Sequence, residues 1–229
     1  MTDADQSLAQ RFADYASNIH AEPTKERTLE LVTEYARDGL TCDDAGVLLR
    51  TEGQLITATA TSPRVEESDR IQRETGEGPC YAASTAPEIF SVPDTHAEPR
   101  WPDWASAVAG MGIRSAIGVP LRTHDRNYGA LNLYSDTPGA FGEDDIAVAL
   151  IFARHASIAL DGASKQESFV HAIDARKAIG QAQGIIMERY NVTAETAFDV
   201  LRRFSQDNNL KLRVVAEHLV SERAFPDEQ

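Results

Sequence analysis

Cysteine is nearly absent from this chain of 229 residues, which has only Cys42 and Cys80. Two thiols 38 residues apart exclude a disulfide framework, and without CxxC spacing they exclude a cysteine zinc site. The six histidines form no HExxH or other tight pair, so no metal is expected. No stretch approaches the 18 consecutive apolar residues of a membrane span. The opening MTDADQSLAQRFADYASNIH lacks the basic and apolar regions of a signal peptide. The expectation is a cytoplasmic protein with reduced thiols and no membrane partner. Aromatics are few, at 7%, which leaves little for stacking on bases. TGEGPC (75–80) lacks the GK[ST] ending of a phosphate loop.

Positive charge is also scarce, with 22 Lys and Arg against 36 Asp and Glu. Such an excess of acid argues against polyanion partners, which need cations to displace counterions. Its distribution weakens that objection. Residues 165–223 hold 9 cations and 8 carboxylates, a net +1, and the remainder holds 13 and 28, a net −15.

At 42% apolar and 25% charged residues, the composition is that of an ordinary globular protein, long enough for two unequal domains. Leu8, Phe12, Tyr15 and Ile19 have helical spacing, as do Leu29, Val32, Ala36 and Leu40 behind Thr24 as N-cap. The period then changes. AGVLLR and LITATA read as a β-hairpin, and IFSVPD, RSAIGVPL and YGALNLYS extend the strands to five. WPDWASAVAGMG reads as a short helix closed by glycine. Peripheral helices around hairpin-linked strands give an α+β fold with an antiparallel sheet, and argue against the parallel sheet of a phosphorylation receiver.

From Glu143 the pattern is helical. Ile151 and Ile158 recur at seven residues, and the register resumes at Ala172, Ile179 and Ile186 with Ala175 and Ala182 between. This is the expected seam of a homodimer, on one continuous helix through Gly162. NVTAET marks a break, with Thr193 as N-cap of a second helix carrying Ala194, Ala197, Leu201 and Phe204 on one face. After QDNN, the stripe Leu212, Val215, Ala216, Leu219 and Val220 makes a third, and FPDEQ reads as a frayed tail.

AIGQAQGIIMERYNVTAETAFDVLRRFSQDNNLKLRVVAEHL resembles the ANTAR family, bacterial modules that bind paired RNA stem-loops and prevent transcription termination. The features that carry the resemblance include Arg176, Ile179, Ala182-Gln183-Gly184, Ala197-Phe198 and Val215-Ala216; Gln183 stands where many members have lysine. Upstream, TGEGPCYAAS, RWPDWASAVAGMGIRSAIGVPL and YGALNLYSDTPGAF resemble GAF domains. The resemblance implies a GAF sensor over 1–162 and an all-α three-helix ANTAR module over 163–225, joined in a signal-responsive antiterminator that binds twin stem-loop RNA.

The expected RNA-binding residues are Arg176, Lys177, Gln181, Gln183, Gly184, Arg202, Arg203, Lys211 and Arg213, with amides from Gln206, Asn208 and Asn209 suited to unstacked bases. Arg176 and Gln183 are also readable as a polar pair setting dimer register. Gly184, in mid-helix, implies either a closely packed neighbouring helix or close approach of an RNA loop. In the sensor half, Cys80, Phe90, Trp104, Ile117 and Leu133 are expected to line a ligand pocket, with Trp101 nearby. The cofactor and the signal, a small molecule or a redox change, are left unnamed. Cys80 at a helix start is either a thiol of lowered pKa or a small buried residue. With His96 and Asp94 near it in sequence it invites a nucleophile reading, though the reading adopted is a non-enzyme. A degenerate ANTAR module serving only as an interaction dimer is the remaining alternative.

Overall fold

A computed structural model of the chain describes residues 10, 13–19, 21–22, 24–40, 42–51 and 53–226. Leu8 and Phe12 of the first expected helix, and Asp227 to Gln229 of the tail, lie outside them. The chain divides into two compact units, residues 1–164 and 165–229.

The first unit is built on one antiparallel sheet in the order β2-β1-β5-β4-β3, formed by β1 (Asp44–Thr51), β2 (Gln54–Ala60), β3 (Phe90–Val92), β4 (Ser115–Arg122) and β5 (Asn127–Ser135). All five match expected strands. Around it lie α1 (Lys25–Gly39), α2 (Pro63–Thr75), α3 (Pro79–Ala83), α4 (Pro102–Gly110) and the first part of α5 (Glu143–Tyr190). Thr24 caps α1 by accepting the Arg27 N–H. In α5 the acidic first turn, Glu143 to Asp145, suits a helix N-terminus, and Asp145 accepts the Gly142 N–H.

Side chains alternate across the sheet, and the two faces form separate cores. On one face Ala45, Val47, Ile117, Val119, Leu131 and Leu133 meet Val32 and Ala36 of α1 and Phe152, Ala156 and Leu160 of α5. On the other, Leu48, Ala116, Ala130 and Tyr134 meet Val65 of α2, Cys80 of α3 and Trp104 and Val108 of α4. This alternation corrects the expected pocket. Cys80, Phe90 and Trp104 lie on the second face and Ile117 and Leu133 on the first, so the sheet itself separates them.

Helix α2 is missing from the sequence expectation. Its inward positions 65, 68, 69 and 72 have the spacing of a buried helical stripe, but three of them are Ser68, Asp69 and Gln72. Glycines let α2 and α3 close on the sheet. A Cβ on Gly46 would meet Val65 Cγ1 at 2.5 Å, and one on Gly118 would meet the Pro79 carbonyl oxygen at 2.4 Å.

The second unit comprises the rest of α5, α6 (Ala194–Asp207) and α7 (Leu212–Glu222). Thr193 caps α6 by accepting the Thr196 N–H, as its position suggested. Asn191 and Asn209 take left-handed conformations at φ 49° and 51°, which asparagine tolerates. The core is Ala178, Ala182, Ile186, Ala197, Leu201, Val215, Ala216 and Leu219.

α5 is one helix of 48 residues, long and apolar enough by composition to cross a membrane, although in the first unit much of its apolar surface is core. The expected seam along it is not one line. Ile151 and Ile158 are about half exposed, whereas Ala182 and Ile186 are consumed by the three-helix core. Ala172 is exposed, and Ala175 and Ile179 are half-buried. A straight α-helix drifts about 20° per heptad, roughly 100° over the five heptads from Ile151 to Ile186, so a strict seven-residue repeat changes face.

Candidate functional sites: a sealed polar nest and an open helical cleft

Between α2, α3, α4 and the sheet lies a polar cluster whose Ser68, Asp69, Gln72, Asn132, Tyr134 and Trp104 are fully buried, with the half-buried Thr57 at its edge. Asp69 is its sink. Its Oδ1 accepts from Asn132 Nδ2 at 2.8 Å and from the Tyr134 hydroxyl at 3.4 Å, and its Oδ2 accepts from Thr57 Oγ1 at 3.0 Å. The Tyr134 oxygen in turn accepts from Ser68 Oγ at 3.2 Å and Gln72 Nε2 at 3.3 Å, and Trp104 Nε1 donates to Ser68 Oγ at 3.0 Å. Gln72 Oε1 holds the start of α3 by accepting the N–H groups of Cys80 and Tyr81. Burial pushes the Asp69 carboxyl up to about 7, against the opposing pull of the Thr57 hydroxyl, the Arg73 charge and the Asn132 and Tyr134 donors. Asn132 Oδ1 is buried with no partner among the described residues.

Cys80 joins this cluster as a protonated thiol. It is fully buried, 3.5 Å from the Tyr134 oxygen, and burial pushes it up to about 12. That decides its open reading in favour of the small buried residue, because thiol reactivity needs an accessible thiolate. Asp94 and His96 are not brought to it: Asp94 pairs with Arg114 and caps the His96 N–H. Cys42 packs against the other face of the sheet. Among the described residues no group of His, Cys, Asp and Glu has the makings of a metal site.

In the second unit the polar groups point outward, and the expected RNA residues spread over several surfaces. Gln181 and Gly184 line a cleft of ≈ 440 Å³ between α5 and α7, which also holds Arg189 and Arg223. Nothing lies within 4 Å of where a Gly184 Cβ would be, so no neighbouring helix within the chain explains this glycine. Arg189 donates to the Arg223 carbonyl at 2.9 Å, and neither arginine has a carboxylate partner among the described residues. Both were missed in the sequence: Arg189 stands inside the ANTAR-like run but alone at a helix end, and Arg223 lies just beyond that run.

Arg202 and Arg203 line a second cleft, of ≈ 560 Å³, with Gln206 and Phe204; there Arg202 pairs with Asp199 at 2.9 Å. Lys211 precedes α7, and Arg213 pairs with Glu217 on it. Arg176 and Lys177 are exposed on α5 but point to different sides of it, as adjacent helical residues must. Gln183 is half-buried and donates from Nε2 to the Ala194 carbonyl at 3.1 Å, tying α5 to α6. Asn208 is used similarly, on the Phe204 carbonyl.

A GAF domain model matches residues 24–160 and an ANTAR domain model residues 167–220. Among solved structures, the GAF domain of a phosphoenolpyruvate-protein phosphotransferase from Coxiella burnetii is 16% identical, with 73% of this chain and 99% of that one covered at a TM-score of 0.58. Free methionine-R-sulfoxide reductase from Neisseria meningitidis, in complex with its substrate, is 20% identical over 73% of this chain and 95% of that one, at 0.57. The cyanobacteriochrome TePixJ GAF domain is 16% identical over 64% and 94%, at 0.53. These likenesses show the fold of the first unit. No curated protein matches the chain.

Proposed function

The chain belongs to the GAF family and carries an ANTAR domain after its GAF domain, and from that premise we propose a signal-responsive transcription antiterminator that binds RNA stem-loops as a dimer in the cytoplasm. The observation that carries the reading is the α5–α7 cleft, where Gln181, Arg189 and Arg223, with one carboxylate, Glu188, line the bare backbone of Gly184. Guanidinium groups and an amide beside open backbone suit an RNA loop, read by hydrogen bonds to exposed base edges and phosphates. Gln183, occupied by Ala194, acts mainly in holding the helices together.

A module of net charge +1 binds a polyanion weakly by itself. Two linked modules on two hairpins raise the apparent affinity through effective concentration. Exposed apolar residues of α5 suit a second copy of the chain: Ile151 and Ile158 in the first unit, and Phe169, Val170 and Ile173 in the second. Polar substitution of these residues should lower the mass measured by light scattering to that of one chain, and an unchanged mass would remove α5 as the dimer element.

The first unit is a regulatory domain in this reading rather than an enzyme. Its two thiols lie on opposite sides of the sheet, and burial pushes both up to about 12. The RNA proposal is tested by gel shift of the full chain with a twin-hairpin RNA and a stem-only RNA of equal length. Preference for the hairpins is expected, with Arg189→Gln and Arg223→Gln each lowering the salt slope by about one. Equal binding of the two RNAs would end the loop-reading claim, and binding insensitive to salt would end the phosphate claim.

A further inference from the structure

Six arginines of the first unit are ion-paired: Arg27, Arg37, Arg64, Arg70, Arg100 and Arg114. The other described arginines of this unit have no carboxylate partner among the described residues: Arg126 on its own, Arg122 and Arg154 in one cleft with His124, and Arg50 and Arg73 in another. The last pair lines a cleft of ≈ 310 Å³ with Tyr81, Leu55 and the hairpin turn at Gly53 and Gln54.

Each is anchored by one neutral acceptor. Arg50 Nη2 donates to the Ser84 carbonyl at 3.4 Å, and Arg73 Nη1 donates to Thr57 Oγ1 at 2.7 Å. A guanidinium has five N–H donors, so most of those on both side chains remain available. Two like charges sharing a cleft repel unless an anion lies between them, and arginine's planar fork matches the oxygens of a carboxylate or phosphate. We infer that the cleft between the β1–β2 turn, α2 and α3 is a binding site for a small phosphorylated or carboxylated molecule, held by Arg50 and Arg73 with Tyr81 and Leu55 as its apolar wall.

The site is connected to the sealed nest. Thr57, which receives the Arg73 donor, passes its own proton donor to Asp69, and from there the chain of hydrogen bonds runs through Tyr134 and Ser68 to Trp104. An anion that draws Arg73 away from Thr57 changes the field at Asp69 and reaches the indole of Trp104. This supplies a ligand class for the sensing reading and rests on that reading only for its consequence.

The test is calorimetric titration of the full chain with inorganic phosphate and, separately, succinate, at ionic strength fixed with sodium chloride, while tryptophan fluorescence is followed. Saturable binding of at least one of the two is expected, and which one saturates tells phosphate from carboxylate chemistry. Arg50→Gln and Arg73→Gln should each weaken it roughly tenfold, the loss of one charged hydrogen-bonded contact. Arg122→Gln, in the cleft that Arg122 shares with Arg154, should leave it unchanged, and a loss there in place of the Arg50 and Arg73 effects overturns the site. Near-ultraviolet circular dichroism establishes that each variant is folded. No saturation with either anion, or equal affinity in wild type and both cleft variants, overturns the site. Saturable binding that leaves RNA affinity unchanged upholds the site and refutes the sensing reading instead.

Discussion

The two halves of the chain place their polar chemistry on opposite sides of their surfaces. In the GAF domain, Asp69, Gln72, Asn132 and Ser68 are fully buried and hydrogen-bond around Tyr134, with Asn132 Oδ1 left without a partner among the described residues. In the ANTAR domain the core is wholly apolar, half of its eight buried residues are alanine, and every arginine lies at the surface or half-buried. A buried polar network is sensitive to small changes in charge or geometry, because an unpaired group in a low dielectric is costly. A surface of cations on a small apolar core is sensitive to what touches it. The first half is therefore built to be perturbed, and the second to make contact.

The sharpest way to break this contrast is to remove core volume from the smaller half. Leu201 is fully buried, and Leu201→Ala should cost about 4 kcal/mol. Leu133→Ala in the GAF core should cost a similar amount, but from a larger reserve. Both tryptophans, Trp101 and Trp104, lie in the first unit, so their fluorescence reports that half alone. Leu201→Ala should lower the midpoint of helix loss seen by far-ultraviolet circular dichroism and leave the fluorescence midpoint in place. Coincident shifts would mean that the halves unfold as one and that the contrast has no thermodynamic content.

The second prediction sharpens the contrast through pH. The folded Asp69 carboxyl sits at about 7 because of burial, against 3.8 ordinarily. Between these values the folded state holds a proton that the unfolded chain releases. Stability of the GAF half should thus fall as pH rises from about 4 to about 7, by something on the order of 4 kcal/mol, and level off above. Asp43 and Asp94 act in another window: the Asp136 N–H and the Arg114 guanidinium, respectively, hold them below the usual range. Their contribution is present above that range and is lost on acidification below it. Urea midpoints read by tryptophan fluorescence should show the decline in wild type and a flatter line in Asp69→Asn. An equal slope in both would acquit Asp69.

What could be read from the sequence follows the same division. The five strands were legible because alternation or an unbroken apolar run marks them, and the ANTAR helices because Thr193 and the asparagine breaks punctuate an apolar stripe. Helix α2 was not, since its inward stripe is mostly polar and resembles a solvated face. With α2 went Asp69 and Gln72, the centre of the nest. The expected pocket failed for a related reason: apolar residues chosen from neighbouring strands carry no label for the face they occupy, and parity put Ile117 and Leu133 behind the sheet. In the ANTAR half the motif drew attention to Gln183, which packs, and away from Arg189 and Arg223, which meet only when α5 and α7 fold together.

The smallest expected effect isolates contact from stability. Gly180 and Gly184 both lie inside α5 with open space where a Cβ would go, but only Gly184 lines the cleft with Gln181 and Arg189. In a helix interior, glycine to alanine adds about 1 kcal/mol of stability through reduced backbone entropy in the unfolded chain. Both Gly180→Ala and Gly184→Ala should therefore raise the midpoint of helix loss. If an RNA loop approaches the bare backbone at Gly184, a methyl group there holds it off, and only Gly184→Ala should weaken twin-hairpin binding, by roughly fivefold. A variant that is more stable and binds less cannot owe its defect to misfolding. Were Gly184→Ala to bind like Gly180→Ala, the cleft would lose its claim to the RNA, and the contact surface would have to be sought beside Arg202 and Arg203 instead.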